Sequence, residues 1–289
     1  MVRLKVKRDN EEQFIFDTNL EQSTDDLITS LCEIYNGRLR IQRLCSEINE
    51  LGAHGITLPP NMQGLADEQI EELKLIDNWA EKCVPSGGSV FKKDEVGKRN
   101  GQAPLDNMVK VLSDTTNEAQ DKISKKNFQM NKPLTMDIVD EAFSILKGAV
   151  TIVYPMGLPP HDPISLEFNG DLDYLQGTQY SKDIILPEKA AVWFCGKEMP
   201  KGKRLSDVLG KNDKTTLIVK LTKSGQGPPA REAPISEDEQ KKMMAYYYRK
   251  QEEAKKLAEN EDDSYLNSAW ADTKSLKNQL HGTTNLRYR

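Results

Sequence analysis

Val2-Arg3-Leu4-Lys5-Val6-Lys7-Arg8, then Asp9-Asn10, then Gln13-Phe14-Ile15-Phe16: this opening stretch decides the fold. Val2, Leu4 and Val6 alternate with Arg3, Lys5 and Lys7, the period of a strand with one buried face. Asp9-Asn10 supplies a turn, and Gln13 to Phe16 reads as the returning strand of a hairpin. Ser23-Thr24-Asp25-Asp26 then opens a helix, with a capping hydroxyl and early acids. Leu27, Leu31, Ile34 and Tyr35 form its apolar stripe. Asn36-Gly37 is expected to interrupt it, and Ile41, Leu44, Ile48 and Leu51 resume the helical period. A hairpin followed by a helix is how a ubiquitin-like, β-grasp fold begins.

Further along, no strand is expected between about Gly52 and Gly148. Gly55 to Gly64, including Met62, reads as a structured loop. Asp67 caps a short helix carrying Ile70, Leu73, Ile76 and Trp79. Pro85-Ser86-Gly87-Gly88 breaks the chain, and Lys92 to Pro104 is a mixed-charge loop. Helices are expected from about Leu105 to Phe128 and from about Met136 to Lys147, the second stopped by Gly148. Ala149 to Tyr154, nearly all apolar, reads as a strand placed centrally in the sheet. Gly157 to Pro163 is stiffened by prolines that include Pro159 and Pro160. Pro187 to Phe194 is expected to form a short buried helix, and Thr216 to Leu221 a last strand.

The expected fold class is α+β: a β-grasp sheet interrupted by a helical insertion, then a long C-terminal helix and an extended tail. Residues 1–52 would supply hairpin and helix, 53–148 the mainly helical insertion and 149–224 the strands that complete the sheet. Residues 225–235, with Gly225-Gln226-Gly227-Pro228-Pro229, form a linker. Residues 236–289 would be an arm for docking partners. Ser236-Glu237-Asp238-Glu239 is a capping-box pattern. The helix it opens has the stripe Met243, Met244, Tyr247, Ala254, Leu257 and Ala258.

The chain carries a net charge of −5, with 29% charged and 37% hydrophobic residues. That balance sets up no global attraction to nucleic acid or anionic lipid. No apolar run approaches the roughly 20 residues needed to span a bilayer, and Met1 to Arg8 lacks the apolar stretch of a signal peptide. Cys32, Cys45, Cys83 and Cys195 are widely spaced without a C-x-x-C pair. They read as reduced, core-type side chains in a cytosolic protein.

No complete catalytic or ligand constellation is present. Gly97-Lys98 and Gly210-Lys211 lack the first glycine and the hydroxyl residue of a phosphate loop. His54, His161 and His281 have no partner at metal-ligand spacing, so neither a metal nor a cofactor is expected. His161-Asp162 with Cys195 is the one pairing that suggests nucleophilic chemistry, but Val192, Trp193 and Phe194 beside Cys195 favour an inert core thiol. Lys92, Lys93, Lys98 and Arg99 read as a solvated basic loop, and the small cluster Lys201, Lys203 and Arg204 in the same way.

Partner contacts are a better match for the residues. Tyr246-Tyr247-Tyr248 points in three directions on a helix. Core packing accounts for Tyr247, which leaves Tyr246 and Tyr248 for a partner or for snorkelling. The tail sets Tyr265, Leu266, Trp270, Leu276 and Leu280 in a segment too polar to build its own core. Pro159, Pro160 and Met62 complete the candidate contact residues.

Several blocks are similar to a known family. They include Tyr35-Asn36-Gly37-Arg38-Leu39, Leu58-Pro59-Pro60-Asn61-Met62-Gln63-Gly64-Leu65 and Arg99-Asn100-Gly101-Gln102-Ala103-Pro104. Others are Ile152-Val153-Tyr154-Pro155-Met156-Gly157 and Tyr265-Leu266-Asn267-Ser268-Ala269-Trp270-Ala271-Asp272. Together they resemble the Kurly family of cilia- and flagella-associated proteins. The resemblance implies a non-catalytic factor for motile cilia, tied to assembly or docking of axonemal outer dynein arms and to cilium orientation and planar cell polarity. It implies dynein-arm assembly factors and axonemal subunits as partners, and a location in the cytoplasm, at the basal body and in the cilium. Two alternatives stay open: a stably bound structural part of the axoneme and, more remotely, a cysteine–histidine enzyme.

Overall fold

The computed structural model describes residues 1–65, 67–210, 212–229 and 237–259. The chain divides into two units, Met1–Arg231 and Glu232–Arg289. The first is mixed α/β.

β1 (Val2–Arg8) and β2 (Glu11–Thr18) form the antiparallel hairpin that the alternation predicts. Val2, Leu4 and Val6 are buried. On the other face Arg3 donates to both carboxylate oxygens of Asp17, at 2.9 and 3.0 Å. The turn places Asp9 at φ 54°, a left-handed conformation that aspartate tolerates better than most residues. α1 (Thr24–His54) follows, 31 residues long. The Ser23 hydroxyl accepts from the Asp26 amide at 3.1 Å, and Asp25 and Asp26 sit where the helix dipole favours acids.

α1 runs through Asn36-Gly37 without a break, contrary to expectation. Each of the two residues meets a neighbour there. The Asn36 side chain donates to the Ile185 carbonyl at 2.7 Å and accepts from the Ile185 amide at 3.1 Å. Gly37 lets a second helix approach closely: a Cβ there would lie 2.7 Å from Val139 Cγ1.

The segment after α1 holds α2 (Asp67–Glu72) and a small hairpin, β3 (Ser89–Phe91) with β4 (Gln102–Pro104). This pair departs from the strand-free reading of that region. α3 (Asp106–Ile123), α4 (Lys126–Gln129) and α5 (Met136–Val153) come next. The run Ala149 to Tyr154 is therefore no central strand: it supplies the last turns of α5 and its cap. Val139, Ala142, Leu146, Ala149, Val150 and Val153 recur at helical spacing and are all buried, while Ile152 is exposed. Packing of that stripe outweighs the local preference of β-branched residues for strands. Gly148 sits inside the helix instead of stopping it.

The chain then passes through α6 (Pro163–Asn169) and α7 (Gln179–Asp183). Pro187–Lys189 makes only a single 3-10 turn. Instead of a buried helix, Ala190–Phe194 is a strand, β5, paired antiparallel with the two-residue β6 (Lys197–Glu198). After α8 (Leu205–Leu209), β7 (Thr216–Lys223) runs parallel to β1 and antiparallel to β5. The sheet order is β2-β1-β7-β5-β6. One continuous core joins Val2, Leu4, Val6, Val219 and Leu221 of the sheet to Leu27, Leu31, Leu44 and Ile48 of α1, and on to Leu112, Leu146 and Val150.

In the second unit the described element is α9 (Glu237–Glu259). Every side chain from Asp238 to Lys256 is exposed. The proposed cap Ser236 and the tail anchors Tyr265, Leu266, Trp270, Leu276 and Leu280 lie outside the described residues, as does His281.

Candidate partner-binding surface

The loop from α2 to β4 is polar in composition yet tightly organised. The Asp94 carboxylate accepts from the amides of Val96, Lys98 and Arg99 at 3.0, 2.9 and 2.9 Å. Burial pushes the Asp94 carboxyl up, but those amides together outweigh it and hold its pKa below the ordinary value. Arg99, expected in a solvated basic loop, is buried. Its guanidinium donates to the Gly55 carbonyl at 2.8 Å and to Glu47 Oε2 at 2.7 Å, and lies 3.8 Å from Asp162 Oδ2. Lys98 also donates to Glu47, at 3.0 Å. Of the basic cluster, Lys98 and Arg99 thus hold the loop against the end of α1, while Lys92 pairs with Asp106 of α3 at 3.6 Å.

Asp162 in turn caps α6, accepting from the Ile164 amide at 2.9 Å and the Thr57 hydroxyl at 2.7 Å. Gly55 is required at the crossing. Its φ is +80°, and a Cβ there would lie 2.2 Å from the Gln102 carbonyl oxygen. Backbone bonds from Leu58 to Lys98, Asn100 to Ile56 and Gly64 to Gly97 lace the two loop strands together.

This scaffold holds apolar side chains out in water. Phe91 is 73% exposed and Val96 76%; Leu73 and Ile76 are also exposed. Phe91, Val96, Leu58, Leu65 and Ile70 line an open cleft of about 630 Å³. Phe91 and Val96 thus stand in solvent beside this cleft on an ordered, hydrogen-bonded loop, which makes them candidate contact residues. Leu73, Ile76 and Trp79 were expected on the helix that Asp67 opens, but α2 ends at Glu72; Phe91 and Val96 carried no periodic signal, because the strand holding Phe91 is only three residues long and Val96 sits in the loop.

The other sequence-predicted residues are scattered. Met62 is 5% exposed. Pro159 is buried and Pro160 exposed. Tyr246 and Tyr248 are exposed on α9, and so is Tyr247, which was expected to pack in a core. Tyr246 and Tyr247 rings meet edge-on with centroids 6.0 Å apart.

Cys32, Cys45 and Cys83 are buried, and burial pushes the first two thiols up to about 11. Cys195 is exposed in the β5–β6 turn at φ 50°, not in the core. His161 pairs through Nε2 with the Thr57 carbonyl at 3.1 Å, and no hydrogen bond joins it to Cys195. His54 at the end of α1 meets the Lys92 carbonyl at 3.3 Å. Among the described residues no cluster of three metal-ligating side chains occurs, and no helix is long and apolar enough to cross a membrane.

A buried ion-pair cluster also escaped sequence reading. Glu167 of α6 accepts from Arg43 Nε of α1 at 2.8 Å and from the Tyr174 hydroxyl at 2.7 Å. Arg40 lies over the Phe143 ring at 4.3 Å and approaches Glu167 Oε2 to 3.2 Å without hydrogen-bond alignment. Burial raises the Tyr174 hydroxyl pKa well above its ordinary value, and the bond to Glu167 adds to this. These contacts brace α6 and are structural.

Comparison with known proteins supplies the family. The family model of cilia- and flagella-associated protein 298 matches residues 190–286. Over 289 residues the chain is 57% identical to cilia- and flagella-associated protein 298-A of Xenopus laevis, covering 100% of this chain and 99% of the relative. The chain belongs to the cilia- and flagella-associated protein 298 family. Further members include the Danio rerio protein, 57% identical over 288 residues, and the Homo sapiens protein, 54% identical over 289, each with the same coverage. No solved structure matches the chain. Membership in the cilia- and flagella-associated protein 298 family supports a cilium-related role, and the Kurly resemblance is shown.

Proposed function

We propose that this chain is a non-catalytic protein-binding factor, an adaptor in the assembly or docking of axonemal outer dynein arms, and through them in cilium movement and orientation. The observation that carries the binding role is the pair Phe91 and Val96, held in solvent beside a cleft by the loop anchored through Arg99. The ciliary setting rests on family membership. The sheet order, with the first and last strands parallel at its centre, supports reading the body as a β-grasp platform with a helical insertion. Tyr246, Tyr248 and the tail residues Tyr265, Leu266 and Trp270 are proposed as a second contact region, acting in the cytoplasm and at the ciliary base.

The test replaces Phe91→Ser and Val96→Ser together in the full chain and measures partners by proximity labelling in ciliating cells. Both side chains are exposed, so folding should be nearly unchanged. Recovery of dynein-arm assembly factors is expected to fall about tenfold, the effect of a hot-spot pair. Recovery equal to that of the unaltered chain overturns the reading.

A further inference from the structure

One face of α1 lines a pocket that shares no residue with the cleft beside Phe91. Tyr35, Arg38, Leu39 and Gln42 recur at i, i+3, i+4 and i+7, so helical geometry sets them on that face together. The other walls come from the turn between β1 and β2, from Lys125 at the start of α4 and from Asp183 at the end of α7. The pocket is open and has a volume of about 430 Å³.

Its two buried polar residues have donors to spare. Tyr35 is 4% exposed and Arg38 3%. Arg38 donates from Nε to the Ile123 carbonyl at 3.0 Å, and from Nη1 to the Gln13 carbonyl and side-chain oxygen at 2.7 and 3.0 Å. Among the described residues, Arg38 Nη2 donates to no group. It is not one of the sealed-in atoms without a partner, which leaves it open to the pocket that Arg38 lines. Tyr35 accepts from Arg8 Nη1, and its own O–H donates to no described group. Burial raises the Tyr35 pKa, so the hydroxyl keeps its proton at neutral pH.

The charges around these donors decide what they can receive. The lining holds three cations, Arg8, Arg38 and Lys125, and three carboxylates, Asp9, Glu11 and Asp183. They are not evenly placed. Arg8 Nη2 reaches Asp183 Oδ1 at 3.4 Å, and Lys125 donates to Glu11 Oε2 at 2.5 Å. Glu11 is the carboxylate whose charge reaches Arg38, but it is exposed and held by Lys125. Asp9 is exposed on the hairpin turn. Arg38 forms no ion pair with any described residue, and it is the one buried cation of the lining. A guanidinium so placed gains most from a single negative charge brought against it. A dianion such as phosphate would turn its second charge toward Asp9, Glu11 and Asp183. A carboxylate has one charge, and it has two acceptor oxygens for the two spare donors.

We propose that this pocket is a binding site for a single carboxylate, seated on Arg38 and Tyr35 and carried by an acidic side chain of a protein partner or by a small organic acid.

The experiment titrates the full, unaltered chain and follows the Arg38 Nε–H signal by NMR, with the amides of Tyr35, Leu39 and Gln42. The probes are glutamate blocked at both backbone ends, blocked glutamine, acetate and inorganic phosphate. Blocked glutamate should bind saturably with a Kd of about 1 mM. Blocked glutamine, of the same shape without the charge, should bind about tenfold more weakly, and so should phosphate. Tyr35→Phe should weaken blocked glutamate about tenfold. Glu11→Gln, an exposed change that removes a repelling charge and releases Lys125, should tighten it about threefold. Arg38→Gln should abolish binding. That side chain also supports the Ile123 and Gln13 carbonyls, so its denaturation midpoint is measured in parallel, and the other two variants decide the matter if it fails to fold. Tighter binding of blocked glutamate than of acetate assigns the carboxylate to a protein side chain; equal binding assigns it to a small organic acid. Shifts that never saturate overturn the proposal. So does phosphate or blocked glutamine that binds as tightly as blocked glutamate, or an affinity indifferent to both Tyr35→Phe and Glu11→Gln.

Discussion

α1 and α9 are both long, charged helices, and they use their charges in opposite ways. α1 is sheathed by the sheet and by α3, α5 and α6, and it carries arginines into the interior. Arg38 is buried and donates to the Ile123 and Gln13 carbonyls at 3.0 and 2.7 Å. Burial lowers its pKa. Arg43 is buried against Glu167. In α9 the charges from Asp238 to Lys256 are all exposed. A charge in α1 is a structural commitment, because its partner cannot fall back on solvent. In α9 it is a surface property, worth little to folding and available for recognition.

The sharpest way to break this contrast is to remove one carboxylate from each setting. Glu167→Ala leaves Arg43 buried without its partner and should cost about 3–5 kcal/mol in chemical denaturation. Glu252→Ala in α9 should change stability by no more than about 0.5 kcal/mol. Equal costs would erase the distinction.

Glycines sharpen it next. Gly37→Ala drives a methyl group into Val139 where α1 meets α5 and should cost about 1–3 kcal/mol. Gly148→Ala, on the open side of α5 with nothing within 4 Å, should stabilise by about 0.5–1 kcal/mol. Thermal denaturation of the two variants should therefore move in opposite directions.

The smallest expected effect concerns pH. The Asp94 carboxyl sits below its ordinary pKa, so the folded loop binds a proton less readily than the unfolded chain. Its contribution is complete above the ordinary carboxylate range and is lost as pH falls through the depressed value. Hydrogen exchange at Val96, Lys98 and Arg99 should quicken on acidification ahead of the core, and Asp94→Asn should remove most of that dependence. A pH-independent ratio of loop to core exchange would contradict this.

How much was legible varied with the kind of signal. The opening hairpin, the cap at Ser23 and the last strand were readable because local period and capping chemistry agree with the tertiary outcome there. The run Ala149 to Tyr154 was not, since a short apolar run fits a buried helix end as well as a strand. Asn36-Gly37 looked like punctuation because its justification is distant in sequence, in Ile185 and Val139. Phe91 and Val96 carried no signal at all, as exposure is a property of what fails to cover them.

By itself the sequence determined the hairpin, the stripe of α1 and the placing of charge along α9. These follow from interactions between residues a few positions apart. Only the tertiary structure decided that Arg99 and Glu167 are interior, that Ala190 to Phe194 extends the sheet and that Phe91 stands in solvent. Those outcomes turn on which surfaces meet, and desolvation is settled by neighbours that the chain brings in from far away.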